Sequence, residues 1–349
     1  MLGYLSSYVY RNKHDGTLLR PFASMAGVRC RGYSRPLQRV IADFGADVPF
    51  GRISEKLEEH YGIRVPQSSA ATVTYRHARA LTDEAIEPRP TAGIVPLTLI
   101  AETDGSMIPV VQFAASDVPG AHDKRKCRIL GWKEARLALV RRPDVVEPAV
   151  AVTLGDVSAA GEHLKRLAIA SGMRPTTRIH GVGDGATWIA DQIEAQFGTQ
   201  GHYLIDFYHL CDYVAAAAPA CAPEHPTDWL TVQKARFKSG QLGAVMADLA
   251  LHLEPPPTLE TTTLRPDTPV RDAYRYIANR PGQFDYPAAI TANLPIGSGE
   301  VESAHRYIVQ KRLKLPGAWW TPNNAQALLN LRCLRANHRW NDYWNQFAA

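Results

Sequence analysis

Residues 93–113 read GIVPLTLIAETDGSMIPVVQF, and the reading of this stretch decides the rest of the chain. Apolar and β-branched residues dominate it, and an Asp-Gly pair at Asp104–Gly105 interrupts it. Runs of this kind bounded by turn residues read as strands. The expectation is two strands: GIVPLTLIAETDG ending at Asp104, a tight turn at Gly105, and SMIPVVQF returning as the second. Asp-Gly is a common hairpin signal. An acid at a strand end beside a glycine also leaves room for a ligand, so Asp104 is a candidate for chemistry as well as for a turn.

Downstream, EARLALV (134–140) and PAVAVTL (148–154) are further strands, separated by a proline-containing turn. A helix is predicted over roughly 158–171. TTRIHGVGDGA (176–186) follows as a strand ending in Asp184, and ATWIADQIEAQFG (186–198) as an amphipathic helix. GHYLIDFYH (201–209) is a strand running into a helix. This order predicts an α/β core whose early strands form an antiparallel meander. From about 212 to 291 the pattern turns helical, with a long helix at 229–253, a loop EPPPTLETTTLRPDTP (254–269) and a helix VRDAYRYIAN (270–279). This region reads as a helical insertion. PIGSGEVESAHRYIVQKRLK (295–314) then opens a new helix capped by Ser298, and the end from about 323 to 347 is helical.

Upstream, EPRPTAG (87–93) has the composition of a linker and divides the chain into domains 1–92 and 93–349. Within the first, GRISEKLEEHYG (51–62) places Ile53, Leu57 and Tyr61 on one helical face, with Gly62 as C-cap. SSAATVTYRHARA (68–80), capped by Ser68 or Ser69, is a second helix carrying Thr72, Tyr75, Arg76 and Arg79. The pair has the outline of a helix-turn-helix at 50–80, which would aim Arg76 and Arg79 at a DNA groove. Any helical hairpin gives the same outline.

The chain has 349 residues, 45% apolar and 21% charged, which excludes disorder as the main state. No apolar run approaches the roughly 18–20 residues that span a bilayer. The start, MLGYLSSYVYRNKHDG, has no signal-peptide pattern, so a cytoplasmic location is the default expectation. Five cysteines and no CxxC pair argue against a disulfide scaffold or a structural zinc site. The net charge of +5 is concentrated in two clusters. Residues 123–142 hold eight cations against two acids, among them Lys124, Arg125, Lys126 and Arg128. Residues 300–339 hold seven against two, among them Arg306, Lys311, Arg312 and Lys314. Such clusters suit a phosphate backbone, and solvated surface faces are the plain alternative.

Three acids stand out by position: Asp104 and Asp184 at strand ends, and Glu302 in the first turns of the helix GSGEVESAH (297–305). Three carboxylates from two strands and a helix are what a pair of Mg²⁺ (or Mn²⁺) ions requires, because hard cations prefer oxygen ligands. Two such ions can serve both the attacking and the leaving oxygen of a phosphoryl displacement. Singly, each acid has another reading: a turn residue, an N-cap, or a partner of the helix dipole.

At these residues the sequence resembles the DDE transposases of bacterial insertion sequences, most closely the ISKra4 group related to the Mutator-like transposases. The resemblance runs from about Ser34 to the C-terminus. It is densest in ETDGSMIP (102–109), GVGDGATWI (181–189), LIDFYHLCDYV (204–214) and the long block from 295 to 344. It implies a ribonuclease-H-like core with a helical insertion before the last acid, and two-metal DNA cleavage and strand transfer. Asp104 and Asp184 match the family's aspartates, and the pattern GSGxVE puts the glutamate at Glu302. Glu300 lies about 200° away around the helix, so one of the two faces the metals. Asp206 and His209 resemble the (Cys/Asp)-x-x-His motif of Mutator-like enzymes, with a buried structural histidine as the alternative. The implied partners are terminal inverted repeats and target DNA, bound by a homo-oligomer in the bacterial nucleoid. Relatives commonly extend further at the N-terminus, so a shortened copy is expected here. Two other functions fit the same residues: a nuclease or resolvase without strand transfer, and a catalytically silent DNA-binding remnant.

Overall fold

A computed structural model describes residues 8–25, 32–90, 95–113, 127–255 and 268–347. Its centre is a mixed five-stranded sheet: β1 (Thr98–Phe113), β2 (Arg128–Arg141), β3 (Ala149–Thr153), β4 (Arg178–Gly183) and β5 (Gly201–Ile205), in the spatial order β3-β2-β1-β4-β5. β1–β2 and β2–β3 pair antiparallel, while β1–β4 and β4–β5 pair parallel. The parallel connections carry α4 (Val157–Ala170) and α5 (Thr187–Phe197). The protein is thus of the α/β class, as expected.

The expected turn at Gly105 is absent. β1 is one strand of 16 residues that runs straight through the Asp-Gly pair, with Asp104 opposite Leu137 and Gly105 opposite Arg136. Local turn preference loses because β2 extends over 14 residues and supplies ladder partners on both sides of the pair. The side chains alternate between two cores. Leu99, Ala101, Ala138 and Val140 pack with α4 and α5, while Ile108, Val110, Leu137 and Leu139 pack with C-terminal helices.

The predicted insertion follows β5. It comprises α6 (Phe207–Cys221), α7 (Pro226–Lys238), α8 (Leu242–Ala250), α9 (Pro269–Ala278) and α10 (Tyr286–Thr291). The single helix expected at 229–253 is two, because Gly240 takes φ +75°, a left-handed conformation that ends α7. α11 (Gly299–Ala304) continues through a π-helical segment, His305–Gln310, and is followed by α12 (Pro322–Ala336) and α13 (Trp340–Asn345).

The N-terminal helices α1 (Arg35–Asp47), α2 (Phe50–Tyr61) and α3 (Gln67–Arg79) share a small core of Ile41, Ile53, Leu57, Val65, Ala70 and Val73. Tyr61 falls outside it, at 54% exposure. Pro66, with no side-chain cap bond, precedes α3 in place of a capping serine. The opposite faces of α1 and α3 join the C-terminal helices, with Ala42, Ala46 and Ala78 in the same core as Leu328 and Leu334. Helices α1 and α3 thus share a core with the C-terminal helices. Among the described residues no helix is long and apolar enough to cross a membrane.

His77 on α3 sits at this junction. Its Nδ1 lies 2.9 Å from Tyr343 Oη, its Nε2 lies 3.0 Å from Gln38 Oε1, and its ring centroid lies 4.4 Å from that of Trp344. Burial, helped by the charge of Arg76, pushes its pKa from 6.5 down to about 4. The unfolded chain therefore takes up this proton first as pH falls. The stabilisation is complete above about pH 6.5 and is lost on the way to pH 4, amounting to about 3 kcal/mol over the window. Thermal unfolding of wild type should lose more stability between pH 7 and pH 4.5 than His77→Gln does. Equal losses would show that His77 does not drive this acid sensitivity.

Candidate active site

Asp104, Asp184 and Glu302 come from β1, from the residue after β4, and from α11. The central parallel pair β1–β4 brings the two aspartates side by side, since Glu102 is in register with Val182. Asp104 is half-buried and its Oδ1 accepts the Gly105 N–H at 2.6 Å. Burial first, and then the negative charges of Asp184, Glu302 and Glu134, push its carboxyl from 3.8 up to about 6, against the effect of that bond. Asp104 therefore lies within electrostatic reach of both Asp184 and Glu302. Among the described residues, no three Asp, Glu, His or Cys side chains already converge tightly enough to hold a metal ion.

The two glutamates of α11 differ in what each touches. Glu300 makes a two-pronged pair with Arg141, Nε to Oε2 at 2.6 Å and Nη2 to Oε1 at 2.5 Å. Glu302 is exposed, and its charge reaches Asp104. His305 lies one turn beyond Glu302 and is 2% exposed. Its Nε2 donates to the Asp104 carbonyl at 3.0 Å, which fixes the tautomer, and burial lowers its pKa.

Asp206 has a different place from that of a free auxiliary acid. Its Oδ1 accepts the N–H groups of Tyr208 and His209 at 2.6 and 3.1 Å, capping α6. Its Oδ2 accepts from Ser298 N and Ser298 Oγ at 2.6 and 2.7 Å. The carboxylate is 5% exposed and ties the start of α6 to the loop before α11. Ser298 therefore donates to Asp206 instead of capping α11 with its side chain. His209 is half-buried, its ring 5.5 Å from Tyr213 and 6.0 Å from Tyr276.

Two further carboxylates went unread in the sequence. Glu102 is two residues before Asp104 and 1% exposed, and its Oε2 accepts Val301 N–H at 2.8 Å. Its Oε1 has no partner, and burial pushes its pKa up to about 8, so it holds a proton at pH 7. The signal was there: period-2 spacing puts residues 102 and 104 on one face of a strand. Glu134 lies over Gly105, where a Cβ would meet its Oε1 at 1.9 Å. It carries no sequence signal, because only cross-strand register brings it there.

The basic clusters divide sharply. Lys124, Arg125 and Lys126 lie outside the described residues. Arg128, Arg306, Lys311 and Lys314 are exposed. Arg312 is not a surface residue: it is 1% exposed, donates to Gly45 O at 3.2 Å, and stacks over Phe50 and Trp320 at 5.0 and 4.8 Å. Several other cations are held by acids: Arg136 by Glu134, Arg141 by Glu300, Arg142 by Asp144, and Arg332 and Arg335 by Asp47. Net charge along a sequence counts these, although a folded chain satisfies them internally. On α3, Arg76 and Arg79 are both exposed, and Arg79 donates to Asn324 at 2.6 Å and lies over the Tyr75 ring at 5.3 Å. No protein-family model matches the chain, and no curated protein matches it in sequence.

Proposed function

We propose that the protein is a DDE-type DNA transposase with a ribonuclease-H-like core, cutting DNA at the ends of an insertion sequence and joining the 3′ end to a target. The observation that carries this reading is that Asp104, on a sheet of order β3-β2-β1-β4-β5, feels the charges of both Asp184 and Glu302. The first three strands antiparallel, the last two parallel to β1, and a helical insertion before the final acid all fit that core.

The donor set fits a divalent cation: three hard carboxylates, one of them with its pKa raised by burial and, beyond that, by its neighbours' charge, a repulsion that a cation relieves. Asp104, Asp184 and Glu302 would hold the ions. Bound there, the metal pair supplies activation of the attacking oxygen and stabilisation of the leaving one. The chain's own residues hold the ligands in place. His305 fixes the Asp104 backbone, and the neutral Glu102 fixes the N–H of Val301, next to Glu302. Glu300 is kept away by Arg141. The test is strand cleavage of the element's own ends by the full chain with Mg²⁺. Failure to cleave under any divalent cation would reject the reading.

DNA contact through Arg306, Lys311 and Lys314 follows from their exposure on the segment that extends from α11. Changing all three to alanine should weaken every DNA sequence about equally. It should also flatten the dependence of log affinity on log salt by about 0.9 per lost phosphate contact. A binding isotherm series in salt measures this, and an unchanged slope would place the DNA elsewhere. Arg76→Ala tests the α3 face separately. If that face reads element ends, discrimination against random DNA falls by about 1–3 kcal/mol while non-specific binding stays.

A further inference from the structure

We infer that the helical insertion positions the second aspartate of the site, with Tyr276 and Arg280 as its positioning residues; the inference rests on the two-metal reading and deepens it.

The loop Asp184–Gly185–Ala186 joins β4 to α5, and its polar backbone groups are held by side chains distant in sequence. Tyr276 Oη donates to the Asp184 carbonyl at 2.6 Å. Arg280 Nε donates to the Gly185 carbonyl at 2.8 Å. On the other side, the Gly185 N–H donates to Tyr203 Oη at 3.0 Å. Both carbonyls are thus held from the end of α9, which belongs to the insertion.

The strap is itself stiffened. Arg280 Nη1 donates to Tyr276 O at 2.9 Å, and its guanidinium lies 4.0 Å from the Tyr276 ring centroid. That ring stacks on Tyr213 of α6, centroids 4.2 Å apart and planes 20° from parallel. Tyr276 is 5% exposed. Gly185 has φ +86°, and a Cβ there would come within 2.3 Å of the Tyr276 hydroxyl, so the close approach needs glycine. A carboxylate is oriented by the backbone that carries it. The Asp184 side chain adds only a bond to Ala186 N–H at 2.9 Å within its own loop. Tyr276 and Arg280, from the insertion, thus help fix the backbone from which that carboxylate projects. Groups that orient metal ligands in this indirect way typically change metal affinity about 10–100-fold when removed.

The test is Mg²⁺ binding to the full chain without DNA, followed by calorimetry, for wild type, Tyr276→Phe, Arg280→Gln and Arg280→Lys. Tyr276→Phe keeps the ring stack and removes only the donor. It should weaken Mg²⁺ about ten-fold. Amide exchange at Gly185 and Ala186 should speed up, with the thermal midpoint little changed. Arg280→Gln should weaken Mg²⁺ similarly, and Arg280→Lys should recover part of the loss. Unchanged Mg²⁺ affinity and unchanged exchange in Tyr276→Phe would overturn the strap alone. A wild-type chain that takes up no Mg²⁺, like Asp184→Ala, would overturn the two-metal reading itself.

Discussion

Replacing Asp104, Asp184 or Glu302 with alanine should abolish DNA cleavage while leaving DNA binding intact. Changes one step removed from a metal already cost about 10–100-fold, so loss of a ligand should exceed 100-fold for each. The three losses should not add, because residues that act as a unit fail together. DNA affinity should hold, because the exposed cations that would meet phosphates, Arg306, Lys311 and Lys314, are separate side chains. Glu300→Ala is the informative contrast. It releases Arg141, whose side chain is only 12% exposed and which also donates to the carbonyls of Arg142, Pro143 and Val145. That change should cost about 1–3 kcal/mol of stability and leave cleavage per folded molecule near wild type. Cleavage retained by Glu302→Ala and lost in Glu300→Ala would show that the helix presents the other acid.

Arg332→Leu should destabilise the protein by about 3–5 kcal/mol, the range for breaking a buried ion pair from one side. Arg332 is 4% exposed on α12. Its Nε donates to Ile308 O at 2.6 Å, its Nη2 to Tyr307 O, and its Nη1 to Ala46 O and to Asp47 Oδ1, the last at 2.6 Å. Ile308 and Tyr307 belong to the π-helical segment after Glu302, where a wider turn disturbs the regular helical bonds. Ala46 and Asp47 end α1. One guanidinium therefore joins the N-terminal helices, the π-helical segment that follows Glu302 and helix α12. Chemical denaturation should show the lowered midpoint as one transition. A separate early transition of residues 32–90, with the rest unaffected, would contradict the shared core.

Much of this was legible in the chain itself. Alternation in EARLALV and PAVAVTL gave strands, and the 3.6-residue period in ATWIADQIEAQFG gave a helix, because those patterns match the geometry of the element that buries them. The positions of Asp184 after its strand and of Glu302 in its helix came from the same patterns. What failed was local chemistry overruled from a distance. Asp104–Gly105 has a turn's sequence and lies in mid-strand, because fourteen residues of β2 pair across it. Ser298 has a cap's identity, yet bonds to Asp206, 92 residues away.

The sequence by itself determined most of the strands and helices in their order, the helical stretch after β5, and the places of Asp184 just past a strand and of Glu302 early in a helix, since these depend on short-range periodicity and residue type. The tertiary structure alone decided which charges are available. Arg312 and Lys314 are two residues apart and equal in a charge count. One is buried under Phe50 and Trp320, and the other faces solvent just past the helical turn that ends at Leu313. Tertiary structure likewise decided that Glu300 pairs with Arg141 while the charge of the exposed Glu302 acts on Asp104, and that Tyr276 reaches the Asp184 carbonyl across 92 positions. Such contacts depend on register and packing between distant segments, which residue patterns along the chain do not encode.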